Sequence, residues 1–265
     1  MWITGKTWRV LGLCAWLISV ATVCDAADDK GKSVKFQGAG REMSGVLFEP
    51  SGPGPFPAVV EIHGINGQEE WDFETGRKLA AEGYVTLAVD LFGRKSRDYG
   101  DGLRQRDRFR PRIAEDLRGA VAYLRSLQNV SPDRVGALGW CMGGGYVLLL
   151  AVAEPALTAG VIYYGPVTPP PGPPASDLVN IRAPLIAYFG EEDDGLALPP
   201  IKMFADNMRQ AGKHLELHIY PGVGHGFAER HSGEPTHGEH HVSDAAADSW
   251  NKTLAFLRTH LKDKK

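Results

Sequence analysis

Cysteine is scarce in this sequence: 265 residues contain three, at positions 14, 24 and 141. Charge of one sign is lacking as well, with 29 Lys and Arg against 32 Asp and Glu. A chain so balanced offers no broad basic surface for nucleic acid. There is no internal repeat. The triple glycine at 143–145 lacks the flanking Lys-Ser/Thr of a phosphate-binding loop. A long hydrophobic span is missing too. The apolar run from Val10 to Val23 is 14 residues, against the roughly 20 that a membrane-crossing helix needs.

That short run follows Lys6 and Arg9 and precedes Cys24-Asp25-Ala26, so it reads as a secretory signal peptide cut after Ala26. Val23 is bulky where a lipoprotein signal ending at Cys24 wants a small residue, which disfavours that alternative. Removing residues 1–26 takes away Lys6, Arg9 and Asp25 and leaves 27 basic against 31 acidic residues. Cys14 and Cys24 go as well. The expected mature protein, residues 27–265, is one domain and a monomer, periplasmic or secreted, with no stable membrane association. Its single thiol, Cys141, has no internal disulfide partner. An exported thiol risks oxidation and mispairing, so this one is either buried and inert or kept for its reactivity.

The rest of the chain has an ordinary globular composition, 43% hydrophobic and 23% charged. Apolar strand-like runs at 58–63, 84–92, 133–140, 159–165, 184–190 and 215–220 alternate with helical stretches. Ile113, Leu117, Val121, Leu124 and Leu127 recur at helical spacing behind Pro111, which suits a first turn. GGGYVLLLAVAE predicts a buried helix, and PPIKMFADNMRQAGK and DSWNKTLAFLRTHL predict two more. This alternation predicts an α/β fold, a mainly parallel twisted sheet with helices on both faces. Three stretches read as irregular: the polar start, a basic loop from Gly93 to about Asp107, and the Pro-rich segment 166–183.

GALGWCMGGG, residues 136–145, sets Cys141 between a strand and a helix in the pattern Gly-x-Cys-x-Gly. In that context the pattern is a nucleophile elbow. The sulfur sits at a helix N-terminus, where the dipole and free N–H groups favour a thiolate. The Met142 N–H then faces a developing oxyanion. An acid and then a histidine should follow in chain order. Glu191, Glu192, Asp193 and Asp194 come directly after one strand. His225, between Gly224 and Gly226, comes after the last, in a setting that suits a core histidine poorly. His231, His237, His240 and His241 cluster in a polar segment without a cysteine and read as solvated loop, so neither metal nor cofactor is expected.

GWCMGG, FGEED and GVGHGF, in that order, resemble the dienelactone hydrolase family, within the α/β-hydrolase fold, over about residues 45–262. The resemblance implies Asp193 as the acid, three residues past Gly190, with Asp194 as the fallback. It implies that Glu61, in Glu61-Ile62-His63-Gly64, pairs with the resting thiol and swings away when substrate binds. The Ile62 N–H is implied as the second oxyanion donor, and Arg94 in VDLFGR as the grip on a substrate carboxylate. Close relatives carry another substrate-binding arginine where this chain has Glu229, with Arg230 one residue later. That departure leaves open whether dienelactone itself is the substrate.

The expected reaction is acyl transfer from a small-molecule ester or lactone to water, through a Cys-His-Asp triad and a thioester. A thiolate leaves more readily than most alkoxides, so stabilised leaving groups, as in enol-lactones and activated esters, are favoured. A carboxylesterase or thioesterase with the same triad, or a non-catalytic binding protein that kept the fold, are the alternatives. The basic stretch, Arg94 to Arg112, either attracts an acidic substrate or forms a solvated face with Asp98, Asp101 and Asp107.

Overall fold

The structure, a computed structural model, describes residues 1–2, 30–169, 172–228 and 243–263. All but two residues of the expected leader, the four clustered histidines, Glu229 and Arg230 lie outside the described residues. Eight strands form one sheet: β1 (Lys32–Gln37), β2 (Glu42–Phe48), β3 (Phe56–Ile62), β4 (Val85–Asp90), β5 (Val130–Trp140), β6 (Gly160–Tyr163), β7 (Leu185–Gly190) and β8 (Leu215–Tyr220). Their order is β1-β2-β4-β3-β5-β6-β7-β8. The β1–β2 and β2–β4 pairs are antiparallel and every other pair is parallel. Among the described residues six α-helices accompany it: α1 (Glu70–Ala81), α2 (Tyr99–Phe109), α3 (Ile113–Ser126), α4 (Met142–Ala153), α5 (Leu198–Gln210) and α6 (Ser243–Leu257). The last runs into a π-helical turn, Arg258–Lys262.

The apolar runs of β3, β4 and β7 are buried nearly end to end because helices cover both faces. On one face Val60, Leu87 and Ala187 meet Leu117, Leu150 and Phe204 of α3, α4 and α5. On the other, Val59, Trp140, Tyr163 and Tyr188 meet Leu79 of α1 and Leu257 of α6. Among the described residues no helix is long and apolar enough to cross a membrane.

Two segments differ from the sequence expectation. The polar start contains β1, whose inward residues are only Val34 and Phe36. Its hairpin is held by α3: buried Asp116 accepts from the Ala39 N–H at 2.8 Å and from Arg41 Nη2 at 2.7 Å. The basic loop after Gly93 is largely helix, α2. Asp98 caps it by accepting the Asp101 N–H at 2.7 Å. The buried face is Asp101, Gly102, Gln105 and Phe109. That is a helical stripe in spacing, with polar residues where the pattern looks for apolar ones.

Candidate active site

The parallel strands all end at one edge of the sheet, where open α/β folds bind their ligands. Cys141 is the residue between the end of β5 and the start of α4. Its backbone is left-handed, φ 50° and ψ −118°, a region that costs a non-glycine residue on the order of 1–2 kcal/mol. The turn is that tight because the neighbouring backbones almost touch. A Cβ on Gly139 would lie 2.3 Å from the Gly143 carbonyl oxygen, and one on Gly143 would lie 2.1 Å from the Ile62 oxygen. Both separations are far inside van der Waals contact, so the two glycines are a steric requirement. The Cys141 N–H donates to the Tyr163 carbonyl at 3.0 Å, which ties the elbow to β6.

The acid and the histidine arrive on two loops bonded to each other. Beyond β7 and β8, the Glu191 N–H donates to the Tyr220 oxygen and the Glu192 N–H to the Val223 oxygen, each at 2.9 Å. Asp193 is buried, and its Oδ1 accepts the Gly195 N–H at 2.9 Å. Oδ2 lies 2.6 Å from His225 Nδ1. Among the four neighbouring acids, Glu191, Glu192 and Asp194 are exposed, which sets Asp193 apart. With Nδ1 on Asp193, His225 has Nε2 left to face Cys141, which also acts on its pKa. Burial works to lower the His225 pKa, but Asp193 and Cys141 outweigh it and push it up to about 11. His225 thus carries its charge against the Asp193 carboxylate.

The remaining expected residues are placed as follows. Met142 heads α4, so its N–H is one of those without an intrahelical acceptor. Ile62 ends β3 beside the elbow, where a Cβ on Gly64 would lie 3.8 Å from Cys141 Cβ. Glu61 is fully buried on β3 and accepts the Trp140 indole N–H at 3.0 Å. Its carboxylate is therefore anchored to the residue just before the thiol. Arg94 donates to both oxygens of Asp101, at 2.6 and 3.0 Å. Arg97 and Arg104 turn to the same carboxylate. Asp101 sits far below the usual carboxylate range because of the Arg94 bond first and the Arg97 N–H second. Three residues of the basic stretch thus share one carboxylate.

Three residues at this edge were not anticipated. His63 is fully buried; its Nε2 accepts the Leu91 N–H at 3.1 Å and its Nδ1 lies 2.6 Å from the Gly64 oxygen. Burial lowers its pKa, so it is a neutral clip joining the loop after β3 to the loop after β4. Tyr164 is left-handed, φ 37°, and meets the His225 ring edge-on at 5.1 Å. Trp140, besides holding Glu61, stacks on Tyr163 at 4.2 Å. The doubled tyrosine before Gly165 was the available sequence signal for Tyr164. A cavity of about 310 Å³ opens between α1 and α6, walled among the described residues by Trp71, Lys78, Trp140, Tyr163 and Trp250. Trp140 is the only one of these next to the elbow in sequence.

A mostly parallel eight-stranded sheet, a strained turn before α4 and an acid–histidine pair on the last two loops define the α/β-hydrolase fold. Solved structures agree. The fold matches one titled m3DLH, with a TM-score of 0.79, 24% identity and coverage of 88% of this chain and 99% of that one. It also matches a dienelactone hydrolase-like promiscuous phosphotriesterase, P91, from metagenomic libraries (TM-score 0.76, 22% identity, 87% and 98% coverage). The dienelactone hydrolase family model spans residues 43–261. The chain belongs to that family and is a hydrolase. It is 29% identical to a Synechocystis sp. protein provisionally named a carboxymethylenebutenolidase, over 83% of this chain and 93% of that one. It is 30% identical to a probable 2-oxo-3-(5-oxofuran-2-ylidene)propanoate lactonase of Bradyrhizobium sp., over 85% and 93%.

Proposed function

We propose that the chain hydrolyses a carboxylic ester or lactone through Cys141, His225 and Asp193, by way of a thioester. The Asp193–His225 hydrogen bond, on loops at the sheet edge where Cys141 heads a helix in a left-handed conformation, carries this reading. Cys141 reacts as a thiolate, with its proton held on His225. The sulfur attacks the carbonyl carbon, and the displaced electron pair goes to oxygen, which accepts the N–H groups of Met142 and Ile62. Collapse breaks the carbon–oxygen bond, and His225 Nε2 gives its proton to the leaving oxygen. The acyl group stays on Sγ. Water then attacks it, losing a proton to His225, and the thiolate is expelled to restore the starting state.

Because thiolate competes as a leaving group at the first step, enolates and phenolates carry the adduct forward better than alkoxides. Enol-lactones and activated esters are therefore the favoured substrates. The lactonase name of the Bradyrhizobium relative supports that class. Arg94 rests on Asp101, so gripping a substrate carboxylate exchanges that partner for the substrate's. The leader reading puts this chemistry outside the cytoplasm, and an exported protein beginning at Ala27 is what N-terminal sequencing should return. The central test is hydrolysis of an enol-lactone and of p-nitrophenyl acetate by the native protein and by Cys141→Ala. A loss of about 10³-fold or more is expected for the variant; equal rates would remove Cys141 from the mechanism.

A further inference from the structure

The open edge of the sheet, outside the proposed active site, carries a cluster of another kind. His214 directly precedes β8 and Glu216 lies on it. Two residues apart along an extended chain, their side chains stand on the same face. His260 comes to meet them from the π-helical turn after α6. His214 Nε2 is 3.3 Å from Glu216 Oε1. One ligand atom from each of the three residues lies within 4.8 Å of the others. The His214 and His260 rings are 5.9 Å apart, and Phe256, one turn earlier on α6, packs against the His260 ring at 4.5 Å. His214 and Glu216 are exposed and His260 is half-buried, so an ion from solution reaches all three.

We propose that His214, Glu216 and His260 bind a divalent transition-metal ion of the zinc type. Two imidazoles and one carboxylate suit zinc, nickel or copper, whereas calcium and magnesium want oxygen alone. Ligand atoms each about 2.0–2.1 Å from a tetrahedral ion stand about 3.3 Å apart, the separation His214 and Glu216 already have. His260 completes three protein ligands, and water takes the fourth position. A π-helical turn holds more residues than an α-helical one, and here it sets which side chain of the chain's end faces the strand. The two histidines are 46 positions apart, and the chain between them carries His225. An ion shared between them closes that loop and restricts the unfolded chain. The site is thus a clip that fastens β8 to the end of the last helix and brackets the histidine loop.

Calorimetric titration of zinc chloride into untagged full-length protein tests this. The starting variant carries His231, His237, His240 and His241→Gln together with Cys141→Ala, which removes the clustered histidines and the thiol. One zinc per chain is expected to bind it, with a melting temperature that rises as zinc is added. His214→Ala or His260→Ala in that background should weaken binding about tenfold or more and abolish the rise, because a lost ligand costs at least what a lost outer-shell partner does. His214 is exposed and His260 only half-buried, so melting temperatures measured in EDTA should stay close to that of the starting variant and show that each variant folds. Zinc binding that survives both histidine substitutions, or no saturable binding in the starting variant, overturns the proposal.

Discussion

The two faces of the sheet are built from different chemistry. The face under α3, α4 and α5 is largely aliphatic, with Val60, Leu87, Leu117, Leu148, Leu150 and Ile162 fully buried. The face under α1 and α6 is aromatic, with Trp140, Tyr163, Tyr164 and Tyr188, and it holds buried polar groups as well. Those groups bond across the layer. Tyr163 and Thr253 hydroxyls lie 2.8 Å apart, Thr253 donates to the Tyr188 hydroxyl at 3.1 Å, and Trp140 donates to Glu61 at 3.0 Å. Aliphatic packing is non-directional and tolerates repacking, whereas a hydrogen-bonded aromatic layer fixes orientation. The oriented face is the one against which Cys141 packs and His225 rests. One face therefore supplies stability in bulk, and the other supplies position.

The strongest way to break this division is to remove orientation without volume. Asp193→Asn keeps the shape but offers His225 the wrong partner. A fall of about 10⁴ in kcat/KM, measured on an activated ester, is expected with little change in melting temperature. The converse is Leu150→Ala on the aliphatic face, which should cost about 2–5 kcal/mol in denaturant unfolding while the folded fraction keeps its activity. If Leu150→Ala damaged kcat as severely as Asp193→Asn, the division would be false.

A subtler measurement uses pH. The folded-state pKa of His225, about 11, stands above the unfolded value of about 6.5. Its contribution to stability is then full below about pH 6.5 and is lost as pH rises toward 11. The stability difference between the native protein and His225→Gln should accordingly shrink steadily in unfolding curves across that window. A constant difference would mean that His225 is not charged in the fold. The smallest expected effect is at Tyr146 on the aliphatic face, whose buried hydroxyl has no hydrogen-bond partner among the described residues. Tyr146→Phe should be neutral or stabilising by up to about 1 kcal/mol in the same assay, since nothing there depends on the hydroxyl.

The sequence made the oriented edge legible where local pattern carried it. Gly139-x-Cys141-x-Gly143 between a strand and a helix marks a turn that local geometry enforces. Asp193 and His225 follow the ends of β7 and β8, so chain order brings them to the same edge. Among the four acids, burial and the bond to His225 set Asp193 apart from Asp194, and neither follows from composition. What stayed hidden depends on distant partners. In α2 the inward positions are polar and are held by Arg94, Arg97 and the Ile65 backbone, so no apolar period announces a helix. In β1 two apolar residues suffice because α3 anchors the hairpin. His63 looked like the end of an apolar run, and its role as a clip appears only when Leu91 is beside it.

The crowding at the elbow also bears on how such a protein changes over generations. Side chains at 139 and 143 would run into backbone at 2.3 and 2.1 Å, so the positions flanking the sulfur have no neighbouring sequence to drift into. Gly64, in the loop after β3, would place a side-chain carbon at ordinary contact, 3.8 Å from the Cys141 Cβ. New substrate preferences would then accumulate in loops of that kind, around a reactive centre that inheritance holds still.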